Sequence, residues 1–419
     1  MPLDTSVIRQ QFPSLDRPAV FLDNPAGTQI SKQSLERINH YLLEHNANHE
    51  GLFETSRKSD AILHEAHAAM ADFLNTARPE EIIFGNNMTT LTLHISRSLA
   101  RNLQPGDNIL VTRLDHDANI SPWMLVAEDK GCNLIWVDFD VEQGILDLDD
   151  FARALERKPK IAAFGYASNL LGTINPVKKL TEMANDAGAL VYIDAVQYAP
   201  HGPIDVQELD CDFLVCSSYK FFGPHAGALY GKYDLLDQLK AYKVRPASDE
   251  LPYKFETGTQ NHEGIAGVLG ALDYFEWLAS EFGGGHVDGW KGKGFSGRRL
   301  LYKQAMSAIR EHEFELSRAL IETIESVPGT RVYGVTDMDR LQERVPTVSF
   351  RLEGKDPAEV ADALGKLGVY VWNGHNYALA IVERMRLLEG GGMIRVGPVH
   401  YNTLEEIQRF GEALKQVAK

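Results

Sequence analysis

The chain has 419 residues, 44% hydrophobic and 24% charged, a globular composition with room for two or three domains and too apolar for large-scale disorder. Its formal net charge of −16 repels phosphate backbones and anionic lipid surfaces, which argues against nucleic-acid or membrane partners. Cys132, Cys211 and Cys216 fall short of a disulfide framework or a thiolate metal cluster. No apolar run reaches the ~20 residues that span a bilayer, and the first residues lack the basic-then-apolar layout of a signal peptide, so a soluble cytoplasmic protein is expected.

Apolar, β-branched runs alternate with helical patterns through the first two-thirds. Strands are expected at Glu81–Phe84, Asn108–Thr112, Leu134–Asp138, Ile161–Gly165, Leu190–Asp194, Phe213–Ser217 and Gly227–Tyr230. Helical spacing covers Ser59–Leu74 and Pro176–Ala187, the second stopped by Gly188. Continuously apolar strands separated by helices predict an α/β fold with a mainly parallel sheet covered on both faces. The last connection is too short for much of a helix and is expected to reverse strand direction. The glycine-rich stretch 283–297 reads as a loop or hinge. Beyond it come a long helix at Arg298–Val327, strands at Thr347–Arg351, Val369–Trp372 and Met393–Val396, and helices at Asp356–Leu367 and from Leu404 to Val417. The expected division is an N-terminal arm (1–20), a large domain (21–282), the glycine-rich loop (283–297) and a smaller α+β domain (298–419). No G-x-G-x-x-G follows a strand, and the glycine-rich stretch lacks a GK[ST] ending, so phosphate-loop nucleotide binding is not indicated.

Ligands of open parallel sheets bind beyond the carboxyl ends of the strands, so the residues that follow each strand mark the site. They include Thr89, Asp115-His116-Asp117, Ser168-Asn169, Asp194 with Gln197, and Ser217 to Lys220. Taken singly, Asp194 and Thr89 read as helix caps, His116 as a surface histidine and a lone lysine as a solvated group. Their shared edge is the stronger signal. A lysine amine, an aspartate, a stackable imidazole and hydroxyls at helix N-termini together suit pyridoxal 5'-phosphate. The amine captures the aldehyde, the aspartate keeps the pyridine nitrogen protonated, and helix N-termini hold the phosphate. Arg395, in Met-Ile-Arg-Val-Gly-Pro, offers a fork for a substrate carboxylate.

The stretches FLDNPAGT (21–28), LDHDANISPW (114–123), SNLLGTINPVK (168–178), SSYKFFGPH (217–225), FETGTQN (255–261) and IRVGPVHYNT (394–403) carry a resemblance. In them, and across nearly the whole chain, the sequence resembles the class V aminotransferases, fold type I pyridoxal phosphate enzymes, in their cysteine-desulfurase-like branch. The resemblance makes 21–282 the cofactor-binding domain and implies that Lys220 holds the cofactor and shuttles the α-proton. It implies that Asp194 pairs with the pyridine nitrogen, His116 stacks on the ring, and Asn169 and Gln197 contact its phenolic side. Thr89, Ser217 and Tyr219 would hold the phosphate, with Thr259 reaching it from the second subunit of a homodimer with shared active sites. Arg395 would grip the carboxylate of a small amino-acid substrate, and Asn48 and His49 fall near a segment lining the substrate entrance.

One departure matters most. Cysteine desulfurases of this kind carry a nucleophilic cysteine shortly before the carboxylate-binding arginine, where this chain reads Asn373-Gly374-His375-Asn376-Tyr377-Ala378, with Tyr377 in the cysteine's place. A phenol, with a pKa of about 10, cannot form a persulfide. Chemistry at an amino-acid α-carbon remains: β-elimination or C–S lysis, transamination, or epimerisation. Two rival readings are a non-catalytic pyridoxal-phosphate-binding regulator and a metal-dependent hydrolase built on His45, His49, Asp115, His116 and Asp117.

Overall fold

The computed structural model describes residues 2–419. Its larger sheet contains β1 (Ile82–Gly85), β2 (Asn108–Thr112), β3 (Asn133–Val137), β4 (Ile161–Gly165), β5 (Leu190–Asp194), β6 (Phe213–Ser217) and β7 (Gly227–Gly231). The spatial order is β1-β7-β6-β5-β4-β2-β3. Strands β2 to β6 pair in parallel, and β7 runs antiparallel to both β1 and β6. The expected reversal is therefore present: the link 218–226 is shorter than the roughly dozen residues a parallel crossover needs. Strands β4 and β6 are buried at every position, as their unbroken apolar sequences require. Between β2 and β4 the chain departs to opposite sides, which makes this the crevice where an open sheet binds its ligand.

Helices α1 (Lys32–His40), α2 (Glu54–Leu74), α3 (Met88–Ala100), α4 (His262–Phe282) and α5 (Gly297–Glu325) pack around this sheet and its neighbour. Helix α2 begins five residues earlier than its apolar spacing suggests, and α1 and α4 were not anticipated. Helix α4 is buried along nearly its whole length, so it lacks the polar face that periodicity detects.

A second sheet is antiparallel, in the order β8-β9-β11-β10, from β8 (Thr330–Tyr333), β9 (Val348–Leu352), β10 (Trp372–Gly374) and β11 (Met393–Val396). Phe350, Ile394, Val360, Leu364 and Phe410 make its core with the helices Pro357–Lys366 and Leu404–Ala418. The single strand expected at Val369–Trp372 is two: Val369–Tyr370 pairs in parallel with Val20–Phe21, and Trp372 begins β10. Helix α5 serves both cores, with Tyr302, Met306 and Ile309 in the larger and Leu316, Leu320 and Ile324 in the smaller.

The glycine-rich stretch is not the loop that its composition suggests. Gly283–His286 forms a 3-10 turn and Val287–Gly292 a short helix, and Gly297 opens α5. Trp290 anchors it: its Nε1 donates to Ser307 Oγ at 2.9 Å, and its ring meets Phe295 edge-on at 5.3 Å. Tertiary anchoring outweighs the weak helix propensity of glycine.

Gly270 on α4 shows how closely the helices approach. A Cβ there would lie 2.5 Å from both Gln33 O and Ser34 Cα of α1, backbone atoms that cannot move aside alone. The expected outcome for Gly270→Ala is a loss of about 1–3 kcal/mol in chemical denaturation from overpacking; an unchanged midpoint would contradict the contact.

Candidate active site

Beyond the carboxyl ends of β2, β4, β5 and β6 lies a pocket lined by Thr89, Asp115, His116, Asn169, Asp194, Gln197, Ser217, Tyr219 and Lys220, among others. A second, outer chamber adds Arg395, Trp372 and Tyr377, and shares Thr89, His116, Asn169, Tyr219 and Lys220 with the first. Most of the residues expected from the strand ends therefore meet in one place.

Lys220 closes a 3-10 turn after β6 and is buried, its Nζ donating to the carbonyl of Pro25. Burial and the nearby Arg395 guanidinium bring its pKa down to about 7, with Asp194 and Asp23 opposing. At neutral pH about half of the amine is uncharged and nucleophilic. Asp194 ends β5, accepts from the Val196 N–H at 2.9 Å, and is raised by burial to about 6. His116 accepts from the Ala118 N–H at Nδ1 (3.0 Å), which places the ring proton of the neutral form on Nε2. Burial, Lys220 and Arg395 push His116 down to about 3, so it remains a neutral stacking surface.

Arg395 is delivered by the second sheet. It lies in one row with Ser349 of β9 and Trp372 of β10, paired on either side of β11. Its Nη1 donates to Asn169 O at 2.9 Å, while burial lowers its pKa to about 10. The loop that carries Asn169 is knit to the same sheet: Ser349 Oγ donates to Leu170 O at 2.6 Å, and the Val345 N–H to Gly172 O at 2.9 Å.

Buried polar atoms left without partners show what the cavity is built to hold. Asn169 Oδ1, Gln197 Oε1 and Arg395 Nε all lack a hydrogen bond, although Asn169 Nδ2 reaches Asn376 O (2.7 Å) and Gln197 Nε2 reaches Thr347 Oγ1 (2.9 Å). Orphans of this kind cost free energy unless a ligand pairs them. A ring bearing polar substituents beside Asn169 and Gln197, and a carboxylate against Arg395, meet those needs. Pyridoxal phosphate with an amino acid fits this set.

The remaining residues named from the sequence are placed as follows. Thr89 is exposed on the first turn of α3, and the cap there is Asn87, whose Oδ1 accepts from the Thr90 N–H at 2.9 Å. Ser217 Oγ accepts from the Met88 N–H at 3.0 Å. Thr259 lies on an exposed turn and Asn48 and His49 on the segment before α2; none lines either cavity. His49 stacks on Tyr253 instead, with centroids 5.9 Å apart. Tyr377 lies at the outer mouth, stacked on His116 at 5.5 Å and 18°. The metal reading fails on geometry: no group of three or more His, Cys, Asp or Glu side chains among the described residues is placed to hold an ion. His45 faces His40, and Asp115 turns to Thr112 and Asn119.

Residues that the strand-end reading misses are Asp23, Pro25 and Asn376, and it gives Asp115 a place at the edge without a role in the cavity. Asp115 is buried beneath the cavity and raised to about 7 by burial. Gly165 is required beside it, since a Cβ there would meet Asp115 Oδ1 at 2.9 Å. Asp23 and Pro25 belong to the FLDNPAGT stretch, whose polar signal carried no assignable role without the fold.

The lowered pKa of Lys220 sets a pH profile. Protonation removes the nucleophile, so the cofactor-free protein captures pyridoxal phosphate about tenfold more slowly per pH unit below 7 and reaches a plateau above pH ~8. The check is the rate of appearance of visible absorbance; a rate still climbing at pH 9–10 would mark an ordinary solvated lysine.

Comparison with known proteins agrees with this geometry. A family model described as "Aminotransferase class-V" matches residues 20–283 and 280–410. The aminotransferase-like protein FGM3 of Gibberella zeae is 34% identical over 98% of this chain and 97% of its own length. A probable cysteine desulfurase of Synechocystis is 31% identical over 99% and 96%. The apo structure of a cysteine desulfurase from Thermococcus onnurineus superposes with a TM-score of 0.86 at 25% identity, covering 100% of this chain and 99% of the other. The chain belongs to the class V aminotransferase family of pyridoxal-phosphate-dependent enzymes.

Proposed function

We propose that the protein is a pyridoxal-phosphate-dependent lyase that removes the α-proton of an amino acid and expels a β-substituent, a C–S lyase reaction that uses no protein persulfide. The observation that carries this reading is the convergence of the Lys220 amine, the Asp194 carboxylate and the Arg395 guanidinium on a cavity with no thiol among its lining residues. Cys211 and Cys216 are buried, with burial pushing their thiols well above the ordinary range; Cys132 lies at the far end of the sheet, its Sγ against Gln104 O at 3.4 Å.

Bound pyridoxal phosphate supplies an electron sink that acidifies the α-carbon of an attached amino acid. Arg395 fixes the substrate carboxylate, which orients the Cα–H bond toward the Lys220 amine. That amine, about half uncharged at pH 7, would take the α-proton. Asp194 would keep the proton on the ring nitrogen, and His116 would offer the ring a neutral plane. Asn169 and Gln197 would pair with the phenolic side, while Ser217, Thr89 and Tyr219 would support the phosphate. Thr259 would complete that phosphate site from a second copy, making a homodimer with shared sites. In β-elimination the Cβ–S electron pair departs with sulfur, and the unsaturated amino acid released hydrolyses to a 2-oxo acid and ammonia. Transamination is the second reading, favoured by the similarity to an aminotransferase-like relative.

The deciding experiment offers a panel of amino acids, S-substituted cysteines among them, and measures pyruvate, ammonia, released thiol and aminated cofactor. Pyruvate with thiol supports the lyase; aminated cofactor alone supports transamination; alanine with sulfide would overturn both. Lys220→Ala should abolish cofactor-dependent visible absorbance and turnover with the fold retained. Asp194→Ala should slow α-proton exchange with deuterium oxide about 10³-fold, and Arg395→Ala should lower kcat/KM about 10²-fold. Alkylation with iodoacetamide should leave turnover within about a factor of two; its loss would restore a thiol mechanism.

A further inference from the structure

We infer that the site selects amino acids with a bulky apolar side chain, received by the outer chamber against Trp372, Tyr377, Leu125 and Pro122; this rests on the α-carbon chemistry proposed above. The outer chamber is continuous with the inner cavity through Thr89, His116, Ala118, Asn169, Tyr219 and Lys220. A substrate held by its amine above Lys220 and its carboxylate at Arg395 has two of its three heavy-atom directions at Cα assigned. The third leads outward along the wall formed by these residues.

That wall is apolar and open. Leu125, Trp372 and Tyr377 are 50%, 52% and 68% exposed, a group of large apolar surfaces at the mouth of a polar site. Trp372 pairs with Arg395 across β10 and β11, so the two side chains leave the same face of the sheet side by side. Among the described residues lining the chamber, the cations are Lys220 and Arg395, and the one carboxylate, Asp117, accepts from Ser121 Oγ at 2.6 Å. An anionic substrate side chain would find no unassigned cation there and would meet the Asp117 carboxylate.

The wall is also fixed in place. Asn376 and Tyr377 hold consecutive left-handed conformations, φ +51° and +57°, which non-glycine residues adopt only when the surroundings impose them. Four bonds do so: the Asp117 N–H donates to Tyr377 O (2.7 Å), Asn169 Nδ2 to Asn376 O (2.7 Å), the Tyr377 N–H to His375 Nδ1 (3.0 Å), and the Ala378 N–H to His375 O (2.8 Å). A turn bonded within itself and to two loops of the larger sheet presents a fixed aromatic surface, suited to shape recognition more than to carrying a group in and out.

The test uses the cofactor-loaded enzyme and measures α-proton exchange with deuterium oxide for L-alanine, L-cysteine, L-glutamate, L-leucine, L-phenylalanine and S-benzyl-L-cysteine. The expected result is kcat/KM at least tenfold higher for the last three than for alanine, with glutamate poorest. Trp372→Ala and Leu125→Asp should each cut the S-benzylcysteine-to-alanine ratio about tenfold, with cofactor absorbance unchanged. Equal kcat/KM for alanine and the bulky substrates, or variants that leave the ratio unaltered, would overturn the inference alone. Exchange with none of the amino acids would overturn the α-carbon reading beneath it, and the inference with it.

Discussion

A lysine amine withdrawn from water is the constraint around which the molecule is arranged. Charging Lys220 in its buried setting is costly, and its pKa falls to about 7 although Asp194 and Asp23 lie near enough to oppose the shift. Arg395 adds to the cost of a second positive charge in the same space. The result is an amine that is nucleophilic at neutral pH, held by the Pro25 carbonyl at the end of a fully buried strand. The same dryness raises Asp194 and Asp115 and neutralises His116, so one physical cause sets the protonation state of each group around the cavity.

That arrangement depends on two sheets that must meet. The larger supplies Asp194, Lys220 and His116 from its strand ends; the smaller supplies Arg395 and Trp372 from one row of paired residues. Three segments stitch the sheets together. Residues 20–28 pair with Val369–Tyr370 and then run beneath Lys220, where the Thr28 N–H donates to Tyr219 O at 3.0 Å. The loop 168–174 binds β9 and its approach. Helix α5 joins both cores. The positions of Lys220, Asp194 and Arg395 therefore rest on contacts spread over nearly the whole chain.

The turn at 373–378 sets Tyr377 at the outer mouth, where the proposed reaction uses no protein thiol. A persulfide enzyme must offer a thiolate to a bound substrate, whereas here a strained turn, tied by Asp117 and Asn169, sets a phenol ring over His116. Under the reading proposed above, Lys220, Asp194 and Arg395 would act at the α-carbon while this turn governs what the outer chamber admits.

The sequence by itself determined the sheet and its active edge. Runs such as IAAFG and FLVCS are apolar without interruption, so their strand boundaries and their polar successors, Asn169 and Lys220, were legible from local pattern. Helix α4 and the helical turns at 283–292 were not, because one is apolar on most of its surface and the other is held by Trp290 against the helix that follows it. Only the tertiary structure decided that Asp23, Pro25 and Asn376 border the site, that Thr89 is not the cap of its helix, and that Asn48 and His49 lie outside both cavities. The physical reason is range: periodicity and strand-end chemistry act over a few residues, whereas burial and side-chain pairing are set by segments hundreds of positions apart.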